Sequence, residues 1–104
     1  MSIPEIQSTQ EFNDAINSEG LVVVDFHAVW CGPCKAISPA LSKFAEEYPN
    51  VKFIKVDVDA LSEVATQVGI TAMPTVKYYK AGKLVDEFIG ANIGAIQSKI
   101  VSHA

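Results

Sequence analysis

The sequence predicts an α/β fold, a central mixed sheet of five strands flanked by four helices. Two apolar runs, residues 21–27 and 51–59, are typical of strands covered on both faces. Segments with helical spacing separate and follow them, and two strand-like runs flank the turn sequence AGK. The resulting order, βαβαβαββα, predicts a sheet with helices on both faces.

The first two elements are predicted from their end signals. Residues 2–6, SIPEI, can form a short edge strand, because Pro4 is tolerated only at a sheet edge. Ser8 followed by Glu11 is a capping box, which predicts a helix of about ten residues ending at Asn17.

The second helix follows the first buried strand. Pro33 suits the first turn of this helix, which is predicted to end near Tyr48, just before Pro49. Pro39 lies inside the helix and should kink it. The second buried strand, residues 51–59, comes next.

The last third of the chain contains a short helix, a hairpin and a final helix. The short helix is predicted over residues 61–68 and is closed by Gly69. Residues 75–80 and 84–89 form the antiparallel hairpin, and Asn92 can cap the last helix. The apolar residues of that helix recur at helical spacing: Ile93, Ile96, Ile100 and Val101.

Length and charge exclude several classes of function. The 104 residues predict one domain, 1–104. The net charge of -4 argues against binding to nucleic acid or to an anionic membrane, and no apolar run approaches the ~20 residues of a membrane span. The start, MSIPEIQSTQEF, lacks the basic and apolar regions of a signal peptide, so we expect a cytoplasmic protein. An organelle presequence removed from a mature chain is left open.

The stretch AVWCGPCK holds the only two cysteines, Cys31 and Cys34. A structural disulfide is one interpretation, but closing so small a loop stabilises a protein by only about 2 kcal/mol. A structural zinc site needs four ligands, and only His27 and His103 remain as nitrogen donors. Because His103 lies in a C-terminus that we expect to fray, we predict no metal site.

A reactive pair fits the sequence better. The cysteines follow the carboxyl end of a buried strand, where open α/β sheets keep their functional sites. If a helix begins near Cys31, its sulfur faces unpaired N–H groups, which stabilise a thiolate and lower the thiol pKa. Cys34 lies one turn further, is expected to be more buried, and is close enough to pair. Gly32 lets a partner chain approach, and Pro33 stiffens the turn.

The segments VVVDFHAVWCGPCKAISP, VDVD, AMPTVKYYKAGK and FIGAN occur in this order. In that combination the sequence resembles the thioredoxin family, and the motifs are most similar to those of eukaryotic, fungal-type cytosolic members. The resemblance implies the thioredoxin fold and a general protein dithiol–disulfide oxidoreductase that reduces protein disulfides through a Cys31–Cys34 redox disulfide. It implies no bound cofactor, because electrons come from NADPH through a flavoprotein thioredoxin reductase.

The same resemblance implies the partners. They are thioredoxin reductase and disulfide-containing substrates such as peroxiredoxins, methionine sulfoxide reductase and ribonucleotide reductase. A monomer is expected, in the cytoplasm and also in the nucleus.

Two charged residues interrupt the buried strands. Asp25 lies six residues before Cys31, and burial should raise its pKa. The resemblance implies that Asp25 is the general base for Cys34, directly or through one water. An exposed edge residue is one interpretation of Lys55, whereas the resemblance implies that its charge lies near Asp25 and partly offsets the rise in pKa.

Met73-Pro74-Thr75 opens the hairpin. An ordinary trans proline is one interpretation, whereas the resemblance implies a cis bond with Pro74 against the disulfide. The backbone of Met73 can then pair with an extended substrate strand. The expected substrate-binding rim around Cys31 consists of Trp30, Gly32, Pro33, Ala72, Met73, Thr75, Gly90 and Ala91.

His27 occupies a position where many family members carry an aromatic residue. It is either a partly buried histidine with its hydrogen bonds satisfied or a titratable group coupled to the cysteine pair.

Two rival functions also stay open. One is a disulfide oxidase or isomerase, although those proteins usually carry histidine where Pro33 stands. The other is a redox-silent docking module that uses the apolar rim, against which the intact cysteine pair argues.

Overall fold

The computed structural model describes residues 3–104, which contain four helices and four strands. The helices are α1 (Thr9–Ile16), α2 (Gly32–Glu47), α3 (Ser62–Val68) and α4 (Ile93–His103). The strands are β1 (Leu21–His27), β2 (Lys52–Asp57), β3 (Thr75–Lys80) and β4 (Lys83–Ile89). The predicted helices are all present, and the structure has one strand fewer than predicted.

The prediction of a first strand over residues 2–6 is wrong, because the structure has only an isolated bridge there. Of residues 2–6, Ser2 lies outside the described residues, and Glu5 forms only an isolated parallel bridge with Lys55. The Ile6 N–H donates to the Lys55 carbonyl and the Lys55 N–H donates to the Pro4 carbonyl, each at 2.9 Å. Because Pro4 has no N–H of its own, it cannot donate to a longer ladder.

The sheet has the order β2-β1-β3-β4, with β1 parallel to β2 and antiparallel to β3. β1 is central, and its first six residues are buried, as its apolar run predicted. The parallel register places Asp25 opposite Lys55 and His27 opposite Asp57. The sheet therefore brings four ionisable residues to neighbouring positions near the carboxyl ends of β1 and β2.

Helices cover both faces of the sheet, as predicted. Val23 and Tyr78 belong to a core that α2 and α4 complete, and the Tyr78 hydroxyl donates to the Ile96 carbonyl at 2.9 Å. Val24 and Phe26 belong to a second core that includes residues of α1 and α3. The two cores hold β1 rigidly between them, because a covered strand cannot shift without exposing apolar surface.

The helix ends follow the predicted caps. The Ser8 hydroxyl accepts from the Glu11 N–H at 3.1 Å, and the Asn92 side chain accepts from the Ala95 N–H at 3.0 Å. α2 runs through Pro39 without interruption. Gly69 ends α3 with a φ of 76°, a left-handed conformation that glycine adopts at little cost.

The apolar residues of α4 are buried only in part. Ile96 and Ile100 are buried, whereas Val101 is 61% exposed. His103 lies in the last turn, where its Nε2 contacts the Asp86 carboxylate at 3.0 Å. This contact ties the end of α4 to β4, which the local sequence does not indicate.

Candidate active site

The two cysteines form a disulfide at the start of α2, with their Cα atoms 5.3 Å apart. Cys31 is the N-cap residue, and its Sγ accepts a hydrogen bond from the Cys34 N–H at 3.1 Å. The sulfur therefore faces the helix N-terminus, as predicted. After reduction, this N–H and the helix dipole favour the Cys31 thiolate over the thiol.

The expected difference in burial between the cysteines is wrong for the disulfide form. Each residue is 4% exposed, and both belong to a small apolar cluster with Ala28. Val58 and Met73 pack against this cluster, so both cysteines are covered to the same extent. Gly32 and Pro33, between the cysteines, are exposed.

Asp25 is 4% exposed, and its Oδ1 has no hydrogen-bond partner within residues 3–104. Burial raises the pKa of Asp25 from 3.8 to about 6, because the charged carboxylate is poorly solvated. The charges of His27 and Lys55 lower the pKa, and the charge of Glu5 raises it. Burial outweighs these charges, so the pKa of Asp25 stays well above its usual value.

Asp25 and Cys34 line the same cavity, which has a volume of about 260 Å³. His27 and Lys55 line it as well, together with residues at the start of α2. This volume can hold several water molecules at roughly 30 Å³ each. A proton can therefore pass between Cys34 and Asp25 through water if the two groups are not in direct contact.

Lys55 is half-buried and stands opposite Asp25 in the parallel register. The exposed-edge interpretation does not hold, because the backbone bridge to Glu5 covers this part of β2. The lysine charge lowers the pKa of Asp25, the direction that was expected.

Glu5 is a site residue that the sequence did not indicate. Its carboxylate contacts the His27 Nε2 at 3.1 and 3.2 Å, and the His27 side chain is only 15% exposed. The two residues are 22 positions apart, and their contact depends on the bridge between Glu5 and β2. No local pattern could have predicted it.

The Met73–Pro74 peptide bond is cis, and Pro74 is buried. The Pro74 carbonyl accepts from the Gly90 N–H at 2.9 Å, which joins the start of β3 to the loop after β4. The Thr75 side chain is buried, and its hydroxyl donates to the Ala72 carbonyl at 2.7 Å. Thr75 can therefore shape this loop, but its side chain offers no exposed surface to a substrate.

The rest of the expected rim divides by exposure. Trp30 is 67% exposed, and Gly32, Pro33, Ala72 and Ala91 are also exposed. Met73 and Gly90 are half-buried. Met73 is the rim residue that packs against the cluster of Cys31, Cys34 and Ala28.

Asp59 is a second residue that the sequence did not indicate as part of the site. Its Oδ2 accepts from the Trp30 indole Nε1 at 2.7 Å, and its N–H donates to the Asp57 carboxylate at 2.9 Å. The exposed indole is therefore held in a defined orientation. The only sequence signal is the position of Asp59 just after the end of β2.

The thioredoxin family model matches residues 4–102. The chain belongs to the thioredoxin family. It is 46% identical to Thioredoxin-1 of Saccharomyces cerevisiae over 102 residues, which cover 98% of this chain and 99% of the relative. It is also 46% identical to horse thioredoxin, with 94% and 95% covered.

Solved thioredoxin structures have the same fold. A Plasmodium falciparum thioredoxin matches with a TM-score of 0.95 and 45% identity, covering 98% of this chain and all of that one. Oxidised mitochondrial thioredoxin 3 of Saccharomyces cerevisiae matches with a TM-score of 0.92 and 40% identity, covering 96% and 94%.

Family membership and the disulfide together establish the activity. The chain is a protein dithiol–disulfide oxidoreductase, a protein-disulfide reductase with a redox-active cysteine pair. The similarity to fungal relatives agrees with the fungal-type resemblance. Within residues 3–104, no helix is long and apolar enough to cross a membrane, and no three His, Cys, Asp or Glu residues cluster as metal ligands.

Proposed function

We propose that Cys31 is the attacking nucleophile, Cys34 the resolving thiol, and Asp25 the general base for Cys34. The Cys31 thiolate attacks one sulfur of a protein disulfide, forms a mixed disulfide and releases one substrate thiolate. Cys34 then transfers its proton to Asp25 and attacks the Cys31 Sγ, which releases the second substrate thiolate. Two electrons pass to the substrate, and the Cys31–Cys34 disulfide forms.

The observation that carries this proposal is the hydrogen bond from the Cys34 N–H to the Cys31 Sγ at the start of α2. It supports Cys31 as the sulfur that the helix N-terminus stabilises as an anion. The same stabilisation makes Cys31 the better leaving group when Cys34 attacks. The order of attack follows from this asymmetry.

The role of Asp25 is supported by its burial and by the shared cavity. A base that acts near neutral pH needs a pKa close to that pH, and burial raises the pKa of Asp25 to about 6. Asp25 and Cys34 both line the cavity, and one carboxylate oxygen has no other partner among the described residues. Lys55 modulates this base by stabilising its charged form.

The proposed substrate site is the rim around the disulfide. We propose that the Met73 backbone pairs with an extended substrate segment, next to cis-Pro74. Main-chain hydrogen bonds depend little on the side chains of the substrate, which suits a reductase that acts on many proteins. The residues that complete the proposed site are Trp30, Gly32, Pro33, Ala72, Gly90 and Ala91, and the buried Thr75 supports them through its hydrogen bond to the Ala72 carbonyl.

Electron supply and partners are also proposals. A flavoprotein thioredoxin reductase would re-reduce the pair with electrons from NADPH, without a cofactor bound to this chain. One similar structure, with a TM-score of 0.92 and 40% identity, concerns thiol resolution in a yeast mitochondrial 1-Cys peroxiredoxin through glutathione/thioredoxin systems. This likeness supports peroxiredoxins as substrates. Methionine sulfoxide reductase and ribonucleotide reductase are further proposed substrates.

We place this activity in a single-domain monomer in the cytoplasm, and in the nucleus as well. The net charge of -4 supports protein substrates rather than nucleic acid or anionic membranes.

Insulin reduction by the wild type and by two cysteine variants tests the proposal. Cys34→Ser should lose turnover and accumulate a covalent mixed disulfide with the substrate, because no thiol remains to resolve it. Cys31→Ser is the matched control and should neither turn over nor trap substrate. Turnover by Cys34→Ser at the wild-type rate would contradict the assignment, and no turnover by the wild type would favour a redox-silent docking module.

A further inference from the structure

A second ionisable residue of β1, His27, lines the cavity that Asp25 and Cys34 share. His27 follows Asp25 by two residues on β1, so the two side chains point to the same face of the sheet. A strand rises about 3.3 Å per residue, which places the two residues roughly 7 Å apart. His27 lines the cavity directly.

Glu5 fixes the position of this imidazole. Both Glu5 carboxylate oxygens lie within 3.2 Å of the His27 Nε2, and the backbone of Glu5 is bridged to Lys55. Histidine is the side chain whose charge ordinarily changes near neutral pH. The contact with Glu5 therefore holds the His27 imidazole at a defined place beside Asp25.

The ionisable groups that face His27 come from every neighbouring element. They are Glu5 before α1, Asp25 on β1, Lys35 on α2, and Lys55 and Asp57 on β2. Among the charges that affect the pKa of Asp25, His27 lowers it most, Lys55 lowers it next and Glu5 raises it. A protonated His27 thus stabilises the Asp25 carboxylate.

We propose that His27, anchored by Glu5, is a positioning residue for Asp25 that extends the resolving step to lower pH. The inference rests on the proposed role of Asp25 as the base for Cys34. His27 touches neither the substrate nor the reacting sulfurs in this scheme. It acts by keeping Asp25 ionised, and so able to accept the Cys34 proton, under mildly acidic conditions.

The size of the effect follows from the separation of the charges. A unit charge about 7 Å away in a medium of effective dielectric ~40 shifts a titration by about one pH unit. Without His27, the pKa of Asp25 would be higher, because the charge of His27 lowers it. At about pH 6 the ionised fraction would then fall roughly five-fold, and at about pH 8 it would change by less than roughly two-fold.

Rapid mixing of the reduced protein with dithionitrobenzoate, an aromatic disulfide, measures the resolving step directly. Attack by Cys31 releases one coloured thiolate at a rate that depends on the reagent concentration. Attack by Cys34 on Cys31 releases the second at a rate that does not, because the step is intramolecular. The pH profile of the second rate reports the ionisation of its base.

We expect His27→Gln to slow the second phase about five-fold at pH 6 and less than about two-fold at pH 8. His27→Tyr, which keeps a ring at this position, should show the same shift if the glutamine variant folds poorly. His103→Gln is the matched control, because His103 also contacts a carboxylate, at 3.0 Å, but does not line the cavity. Its profile should match the wild type.

The double variant Asp25→Asn/His27→Gln tests whether His27 acts through Asp25. The histidine substitution should have no further effect in the Asp25→Asn background. An effect that persists there, a His27→Gln profile identical to the wild type, or equal slowing at every pH would overturn the inference while the base role stands. If the second rate of Asp25→Asn fell at acidic pH with the same midpoint as in the wild type, the base role would be overturned as well.

Discussion

Replacing Asp25 by asparagine should stabilise the protein, although it removes the proposed base. Burial raises the pKa of Asp25 from 3.8 to about 6, so the folded protein binds this proton more tightly than the unfolded chain does. Between these two values the native state carries more bound protons. The contribution of Asp25 to the free energy of unfolding therefore falls as the pH rises through that window.

The size of this penalty follows from the shift in pKa. The difference between about 6 and 3.8 is about 2 pH units, which corresponds to about 3 kcal/mol above pH 6. Asparagine has nearly the same shape and no charge to desolvate. We expect Asp25→Asn to raise the free energy of unfolding by about 3 kcal/mol at pH 7.5 and by little near pH 4.

Urea unfolding of the oxidised proteins measures this difference. With an m-value of about 1.5 kcal/mol/M, the midpoint at pH 7.5 should move up by about 2 M. The difference between the variant and the wild type isolates Asp25, because the other titrating groups are common to both proteins. The same variant should resolve mixed disulfides more slowly at neutral pH.

Two results would refute this reasoning. One is a stabilisation of equal size at pH 4 and at pH 7.5, which would mean that packing rather than charge is responsible. The other is no stabilisation at pH 7.5, which would mean that water or a neighbouring charge solvates the carboxylate fully.

Asp86→Asn should have the opposite sign. Hydrogen bonds from Lys99 and His103 lower the pKa of Asp86 from 3.8 to about 2, so the variant should be less stable at neutral pH. That loss should disappear as the pH falls through this window, and urea unfolding that shows the same loss near pH 2 would contradict it. Gly82→Ala should destabilise by more than about 1 kcal/mol, because φ is 79° and the new Cβ would collide with the Asn17 side chain. Gly32→Ala is the control, because a Cβ at Gly32 meets open space, and its stability should change by less than about 1 kcal/mol. If the two variants were equally stable, the strain at Gly82 would be contradicted.

Features that depend only on residues close together in the sequence could be predicted from it. The continuous apolar run of β1 requires cover on both faces, and both cores supply it. Ser8 and Asn92 cap their helices because the cap hydrogen bond joins residues three apart. The burial of Asp25 follows from its place between Val24 and Phe26 in a central strand.

The active-site pair was also within reach of the sequence. A helix that begins at the first of two cysteines places that sulfur at the unpaired N–H groups, whatever packs around it. Recognition of the family then rests on the order of motifs along the whole chain. The cis bond before Pro74 was implied by that resemblance alone, since an isolated X–Pro bond is more often trans.

Only the tertiary structure decided the contacts between distant residues. The His27–Glu5 pair joins positions 22 apart, and the Trp30–Asp59 pair joins positions 29 apart. The same holds for the equal cover of the two cysteines and for the reduction of the first strand to a single bridge. Local patterns set which residues form an element and which face is apolar, because those depend on backbone geometry over one or two turns. Which charges meet across the site depends on how the elements pack, and that is determined by the whole core at once.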